Sequence, residues 1–416
     1  MASQNQIIEI FNCLKEGRVY QMVNKFDDLD SLKLNERENL MRNEQNIKEQ
    51  VNQKFRIEEI DEPFINFLFL YVKWLNDKDQ TNFYDPYKIL IRALDQLKNM
   101  LSIMKGNQQN LMKFITHFIQ VSKIISKKAL DFARQNRRDE NKFMSELEQH
   151  FQTWISTINK QLKDQDSQFK KQIILKIYNI QLGIRFQKYD YPGCSSIVNH
   201  TKNYQSLPNP YLNQEPISQR VLFMYYFGRL QIFSQNFKQA STCLQYALDR
   251  CPADAFKQRR QILKYLIPVN MYCGKFPTSQ LIKKYELFEY SDLAIGILEG
   301  NMKKLEEQRE KWKKCWIKRS LYLFIGMLET LTIRNLCKRV IQIMEKLNDG
   351  KTFNVDINKF KLAFEFSAKR PFEEEEVACL LGNLFYQQQL YGYVHKGAKG
   401  TLVVLSPKNA CPKFKS

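Results

Sequence analysis

Histidine is scarce. The 416 residues hold four, His117, His150, His200 and His395, far apart along the chain. None stands in a metal-ligand spacing with cysteine; Cys194 and His200 share one loop-like stretch without a second pair. The sequence also lacks a glycine-rich loop of the kind that cradles phosphate, and it lacks a nucleophile elbow. Nine cysteines are scattered without a paired framework. Cys243, Cys337 and Cys379 fall on apolar helical faces, where free cysteine acts as a small hydrophobe, so no disulfide is expected. The longest apolar stretch, near Leu321 to Leu328, is far short of the roughly 20 residues that span a bilayer. Met1 to Gln6 lead into an ordinary amphipathic pattern and not into a signal peptide. These absences lead us to expect a soluble intracellular protein that is not an enzyme, binds no cofactor or metal and does not enter a membrane.

Proline is missing over a long interval, between Pro86 and Pro192. Helical periodicity fills that interval. Leu111, Phe114, Ile115, Phe118 and Ile119 recur at helical spacing, as do Ile173, Ile174, Ile177, Tyr178 and Ile184. The charged run Arg134 to Glu140 reads as a solvated helix end or loop.

Positive charge is in surplus. Lysine plus arginine number 64 against 44 acids, a formal charge of +20. Such an excess favours an anionic partner: nucleic acid, an acidic protein or an anionic membrane surface. At 44% hydrophobic and 26% charged residues the chain is globular and long enough for two or three domains.

The clearest break lies at Tyr189 to Pro216, where Pro192, Gly193, Pro208, Pro210 and Pro216 stand among asparagine and serine. A recognisable unit follows. Gly228, Phe237, Ala240, Leu244, Ala247 and Pro252 fall at tetratricopeptide-like offsets. The glycine and alanines are small where two helices cross closely, Phe237 and Leu244 fill the groove, and Pro252 stops the second helix. Such a hairpin must bury its faces on neighbours. The apolar run Ile262, Leu263, Leu266, Ile267, ending at Pro268, and the stripe Leu293, Ile297, Leu298, closed by Gly300-Asn301, supply them. A turn at Gly274 to Pro277 separates the two.

From Lys303 the chain turns basic. Trp312 and Trp316 sit in this run at i and i+4. They read as tryptophans packed into the stack; the lysines around them suit either a wet face or a polyanion.

The last third reads as a winged helix. A first helix over Leu331 to Leu347 has Leu336, Val340, Ile343, Met344 and Leu347 as its buried stripe, with Arg334 and Lys338 pointing away. Asp356 caps a second helix with Ile357, Phe360 and Phe364 inward. Pro371 suits the first turn of a third, which carries Val377, Leu380, Leu381, Leu384 and Phe385. A hairpin, Tyr391 to Leu405, closes the unit, with Lys396 and Lys399 at its tip and His395 as a surface strand residue. The third helix is the usual base-reading helix of such a fold. Here it opens with Glu373 to Glu376, which would repel phosphates, so sequence reading by this helix is not expected. The fold expected is mainly α: a TPR-like helical-repeat solenoid capped by a C-terminal winged helix. The domains are residues 1–190 (N-terminal helical repeats), 191–217 (linker or long loop), 218–328 (helical-repeat subdomain) and 329–416 (winged helix with a C-terminal tail).

From Ser218 onward, the phrases Gln219-Arg220-Val221, Tyr225-Tyr226-Phe227-Gly228-Arg229, Phe237-Lys238-Gln239-Ala240, Leu266-Ile267-Pro268-Val269 and Arg334-Asn335-Leu336 resemble PCI-domain proteins. They are most similar to the PCI subunits of the nuclear messenger-RNA export complex, transcription and export complex two. The resemblance covers about half of the chain, Ser218 to Val404. It implies a scaffold subunit in the nucleus, at the nuclear pore, working in mRNA export and transcription elongation. It implies pairing with a large GANP-like scaffold and with a small acidic disordered protein of the DSS/Sem type. It also implies a basic platform that holds RNA and DNA nonspecifically. Residues that would carry this are Lys338, Arg339, Lys396 and Lys399, and further out Lys313, Lys314, Lys318 and Arg319. The alternative is a PCI subunit of the signalosome or proteasome lid that interacts with protein alone.

Overall fold

A computed structural model gives the structure. It describes residues 34–55, 151–156, 167–201, 216–347, 354–397, 400–406 and 410–412, with shorter pieces among 7–12, 65–73, 92–96 and 145–149. The periodic stretch Leu111 to Ile125 and the charged run Arg134 to Glu140 lie outside these residues. The chain divides into two compact units, Met1–Phe223 and Met224–Ser416. The division falls inside a helix rather than in the proline-rich break.

In the first unit, α1 (Leu34–Arg42) and α2 (Glu44–Phe55) bury Leu40, Ile47 and Val51 along one stripe. Helix α3 (Ser167–Gln187) buries Ile173, Ile177, Leu182 and Ile184. The next segment differs from the expected linker, because Tyr191–His200 is a helix, α4. Asp190 caps it by accepting from the Gly193 N–H at 2.9 Å. Pro192 stands in the first turn, where its missing N–H costs nothing. Cys194, Ile197 and Val198 then face inward. Proline and glycine read as loop chemistry here because the same residues open helices.

The second unit begins within α5 (Ile217–Phe233). Helix α6 (Phe237–Arg250) crosses it closely at Gly228: a Cβ there would meet Leu244 Cγ at 2.7 Å and the Ala240 carbonyl oxygen at 3.3 Å. Phe237, Ala240, Leu244 and Ala247 are all buried, as the tetratricopeptide-like spacing predicts. The helix stops before Pro252, where the Arg259 guanidinium takes up the end carbonyls of Leu248 at 3.0 Å and Cys251 at 2.7 Å.

Pro268 does not end its helix: α7 runs from Phe256 to Tyr272. A proline there removes the hydrogen bond to the carbonyl four residues back, on Lys264. The buried Tyr290 hydroxyl donates to that same carbonyl and replaces the lost partner. Short elements follow: α8 (Ser279–Lys284), a 3-10 turn (Phe288–Tyr290), α9 (Ser291–Glu299), α10 (Met302–Lys311), α11 (Lys313–Lys318) and α12 (Tyr322–Met327).

The winged helix is built from α13 (Glu329–Leu347), β1 (Asn354–Asp356), α14 (Ile357–Ala368), α15 (Glu374–Tyr386), β2 (Gly392–Gly397) and β3 (Gly400–Leu405). The sheet order is β1-β3-β2, antiparallel, with Val355 opposite Val403 and Val394 opposite Val403 on the other side. Strand β1 is absent from the sequence reading because three residues, one of them inward, give no periodic signal. The core holds Cys337, Val340, Ile341, Val355, Phe360, Phe364, Phe372, Val377, Leu381, Leu384, Val403 and Leu405.

Four expectations change here. The inward stripe of α13 is Ile333, Cys337, Val340 and Ile341, while Ile343 is 58% and Leu347 72% exposed. Arg334 points in, not out, and is 4% exposed. Pro371 lies before the third helix, whose N-cap is Glu373. Cys379 is exposed, since Val377, Leu381 and Leu384 take the inward face of α15.

Candidate nucleic-acid interface

The winged helix is fixed to the repeat at the turn between α9 and α10. Gly300 adopts the left-handed conformation, φ 67°. A Cβ on it would lie 2.8 Å from both Cα and N of Leu336, so the α13 backbone passes directly over this residue. Asn335 Nδ2 donates to the Ile297 carbonyl at 2.9 Å. Ser367 on α14 donates to the Gly300 carbonyl at 2.7 Å and accepts the Met302 N–H at 2.8 Å. One turn along α13 from Asn335, Lys338 and Arg339 stand exposed. Arg339 makes one long contact, 3.5 Å to the Leu298 carbonyl.

The C-terminal strap closes beside them. Arg334 Nη2 donates to the Pro412 carbonyl. The Tyr391 N–H donates to the Ala410 carbonyl at 2.9 Å, which ties the strap to the base of the hairpin. Burial pushes the Cys411 thiol up, while the charges of Arg334 and Lys338 oppose that shift. Lys338 therefore belongs to the base end of the wing.

Lys396 belongs to the other end, beside Gly397 at the tip. The five residue steps of strand from Gly392 to Gly397 span about 17 Å. Lys396 lies 3.7 Å from Glu375, with both side chains more than three-quarters exposed. Glu376 is paired with Arg370 at 2.5 Å, and that hydrogen bond holds its carboxyl below the usual range. The acidic start of α15 thus partly offsets the wing lysine as well as guarding the helix end. Lys399 lies outside the described residues. Among the described residues no group of three or more histidine, cysteine or acidic side chains could hold a metal ion. No helix among them is long and apolar enough to cross a membrane.

The basic run of α10 and α11 separates by role. Arg319 is a correction: its Nη1 lies 2.6 Å from Glu289 Oε1, and Glu289 is buried, so this arginine serves the core. Lys313 is held by Glu310 at 2.9 Å. Lys314 and Lys318 are exposed. Trp316 is fully buried against Tyr290, ring centroids 5.2 Å apart, and Trp312 is half-buried at the junction between the two helices.

No family model matches the chain. Relatives do. The chain is 26% identical over 339 residues to the PCI domain-containing protein 2 homolog of Dictyostelium discoideum, covering 80% of this chain and 75% of that protein. It is 33% identical over 197 residues to PCI domain-containing protein 2 of Xenopus laevis, 47% of each chain. The chain is thus similar to proteins named for the PCI domain. A third relative, the Protein CSN12 homolog of Gibberella zeae, is 28% identical over 214 residues, 49% of this chain and 46% of that one. The chain thus spans about half the length of the last two relatives.

At the start of the winged helix the phrase Arg334-Asn335-Leu336 has a physical role that its sequence alone does not reveal. Arg334 holds the strap, Asn335 holds the end of α9, and Leu336 lies on Gly300. No sequence pattern marks Ser367 or Gly300 as parts of this joint. The only sequence signal is a glycine followed by asparagine, which marks a turn but not what packs on it.

Proposed function

We propose that the protein is a non-catalytic scaffold subunit of a nuclear mRNA-export complex. Its PCI domain pairs with a GANP-like subunit and with a small acidic DSS/Sem-type protein. It holds RNA and DNA nonspecifically through Lys338 and Arg339, with Lys396 and Lys399 on the wing and Lys314 and Lys318 as outlying contributors. It acts in the nucleus, at the pore. The observation that carries this reading is the exposed Lys338–Arg339 pair on a helix rigidly seated by Asn335 and Leu336, in a chain whose relatives are named PCI domain-containing protein 2.

The test is a salt titration of single-stranded RNA binding by the chain, alone and with its purified scaffold partner. Affinity should fall by about one logarithmic slope unit for each phosphate contacted. Lys338→Glu with Arg339→Glu should weaken all sequences alike. Unchanged affinity in that double variant removes the two residues from the site. The name of the Gibberella relative favours a second reading, a signalosome-associated subunit that interacts with protein alone. Affinity purification with mass spectrometry separates them: a GANP-like scaffold in the eluate supports export, and signalosome or proteasome-lid subunits overturn it.

A further inference from the structure

A cavity of about 510 Å³ opens between the turn that joins α5 to α6 and the end of α7. That volume falls within the roughly 300–1,000 Å³ of ordinary ligand pockets. Its apolar wall is aromatic: Phe237 and Tyr272 line it, with ring centroids 4.4 Å apart. Phe324, itself buried, packs on both rings at 4.9 Å and 5.9 Å and fixes that wall. The polar part is carboxamide and ammonium. Gln235, Asn236 and Gln239 bring side-chain amides, and Lys238 brings the charge. Asn236 is held in place, its Nδ2 donating to Gln231 Oε1 at 3.0 Å. Gln235 and Gln239 are exposed, so their amides can turn to an occupant. Among the described residues no acidic side chain lines the cavity. Cys273 completes the lining. Burial pushes its thiol up, and the charges of Lys275 and Lys238 oppose that shift, so positive charge is felt inside.

Aromatic faces, amides and a cation in one cavity match the parts of a nucleotide. A base stacks on an aromatic ring. Its edge takes paired hydrogen bonds from a side-chain amide, best with adenine. Its phosphate takes an ammonium through a charge-assisted hydrogen bond, the stronger kind. We propose that this cavity is a nucleotide site: Tyr272 and Phe237 carry the base, Gln235 and Gln239 read its edge, and Lys238 holds the phosphate. The nucleotide is either free or one residue of a single-stranded RNA. The site does not depend on Lys338 or Arg339.

The experiment uses the full chain, with adenosine monophosphate as probe and adenosine as the phosphate-free comparison, by isothermal titration calorimetry. Wild type should bind the monophosphate at one saturable site. Lys238→Gln should lose about tenfold in affinity for the monophosphate and nothing for adenosine, and Lys238→Arg should keep both. Melting temperatures measured without ligand verify that both variants fold. Alkylation of Cys273 by iodoacetamide, read by mass spectrometry, locates the ligand. Bound monophosphate should slow it severalfold, while the exposed Cys379 reacts as before. Single-stranded RNA in place of the monophosphate identifies the source. Protection of Cys273 by the monophosphate assigns the site to a free nucleotide; protection by RNA alone, lost in Lys238→Gln, assigns it to RNA. Protection by neither, or a Lys238→Gln chain that binds its ligand as wild type does, overturns the proposal. The winged-helix reading fails separately, in RNA binding by Lys338→Glu with Arg339→Glu.

Discussion

Replacing Gly300 by alanine should break the joint between repeat and winged helix. Two costs add. The left-handed conformation, φ 67°, disfavours any Cβ by about 1–2 kcal/mol. The added Cβ would also lie 2.8 Å from Leu336 backbone atoms, which cannot rotate aside as a side chain would. Helix α13 must then lift, and the bonds from Asn335 to Ile297 and from Ser367 to Gly300 stretch with it, each worth about 1 kcal/mol. The total is about 3 kcal/mol, roughly 6–12 °C in melting temperature for a unit of this size. Gly382→Ala is the matched control. That glycine lies exposed within α15 with nothing within 4 Å of an added Cβ, so alanine should stabilise by about 0.5–1 kcal/mol. Thermal melts followed by circular dichroism compare the two. Equal stability of Gly300→Ala and wild type would refute the claim that a close backbone approach fixes the winged helix.

Tyr290→Phe should cost about 1–3 kcal/mol in urea unfolding, because it leaves the Lys264 carbonyl without the donor that replaces the N–H missing at Pro268. A silent Tyr290→Phe would mean that the carbonyl finds another donor. Arg319→Met should cost about 3 kcal/mol by the same assay, since Glu289 would stay buried without its cation. The double variant Arg319→Met with Glu289→Leu should recover most of that loss. Burial pushes the Cys243 thiol up to about 12. The unfolded chain therefore gives up this proton at lower pH than the folded one. Stability from this group is full below the ordinary thiol value and is lost as pH rises toward 12, by about 1.4 kcal/mol per pH unit. Cys243→Ala should flatten the decline of unfolding free energy between pH 9 and 10.5 by about one proton's slope; an unchanged slope refutes the assignment.

The repeat hairpin was legible because its signal is a spacing of small and large residues along two helices. Gly228, Ala240 and Leu244 meet where that spacing puts them. The three helices and the hairpin of the winged helix were legible for the same reason. What failed was reading punctuation residues without their surroundings. Pro192 opens a helix, Pro268 rides inside one, and Pro371 precedes one. Two of these outcomes depend on a partner: the Asp190 cap and the Tyr290 hydroxyl. The inward stripe of α13 was misread because Ile343 and Leu347 continue an apolar pattern past the point where the core ends. The candidate site was legible only in part. Lys338 and Arg339 are exposed as their positions imply, but a run of basic residues does not show which one has a buried acid waiting, and Arg319 did.

Several arginines among the described residues spend their charge inside the protein, while Arg339 stays exposed. Arg185 lies 2.8 Å from Asp190 and 3.3 Å from Glu148. Arg259 and Arg260 take up helix-end carbonyls, Arg319 neutralises Glu289, and Arg334 holds the strap. Lys314, Lys318, Lys338 and Lys396 stay exposed. Chemistry explains the division: a planar guanidinium offers several fixed donors to carbonyls and carboxylates, whereas an ammonium is compact and strongly hydrated. The surface left for a polyanion is thus mostly lysine, point charges on long flexible stems. Such charges follow phosphates wherever the backbone runs and read no base edge, because base readout needs donors held in register, as in the bidentate arginine–guanine pair. Under the proposed function, the +20 surplus and the acidic start of α15 both predict a hold on nucleic acid set by salt rather than by sequence.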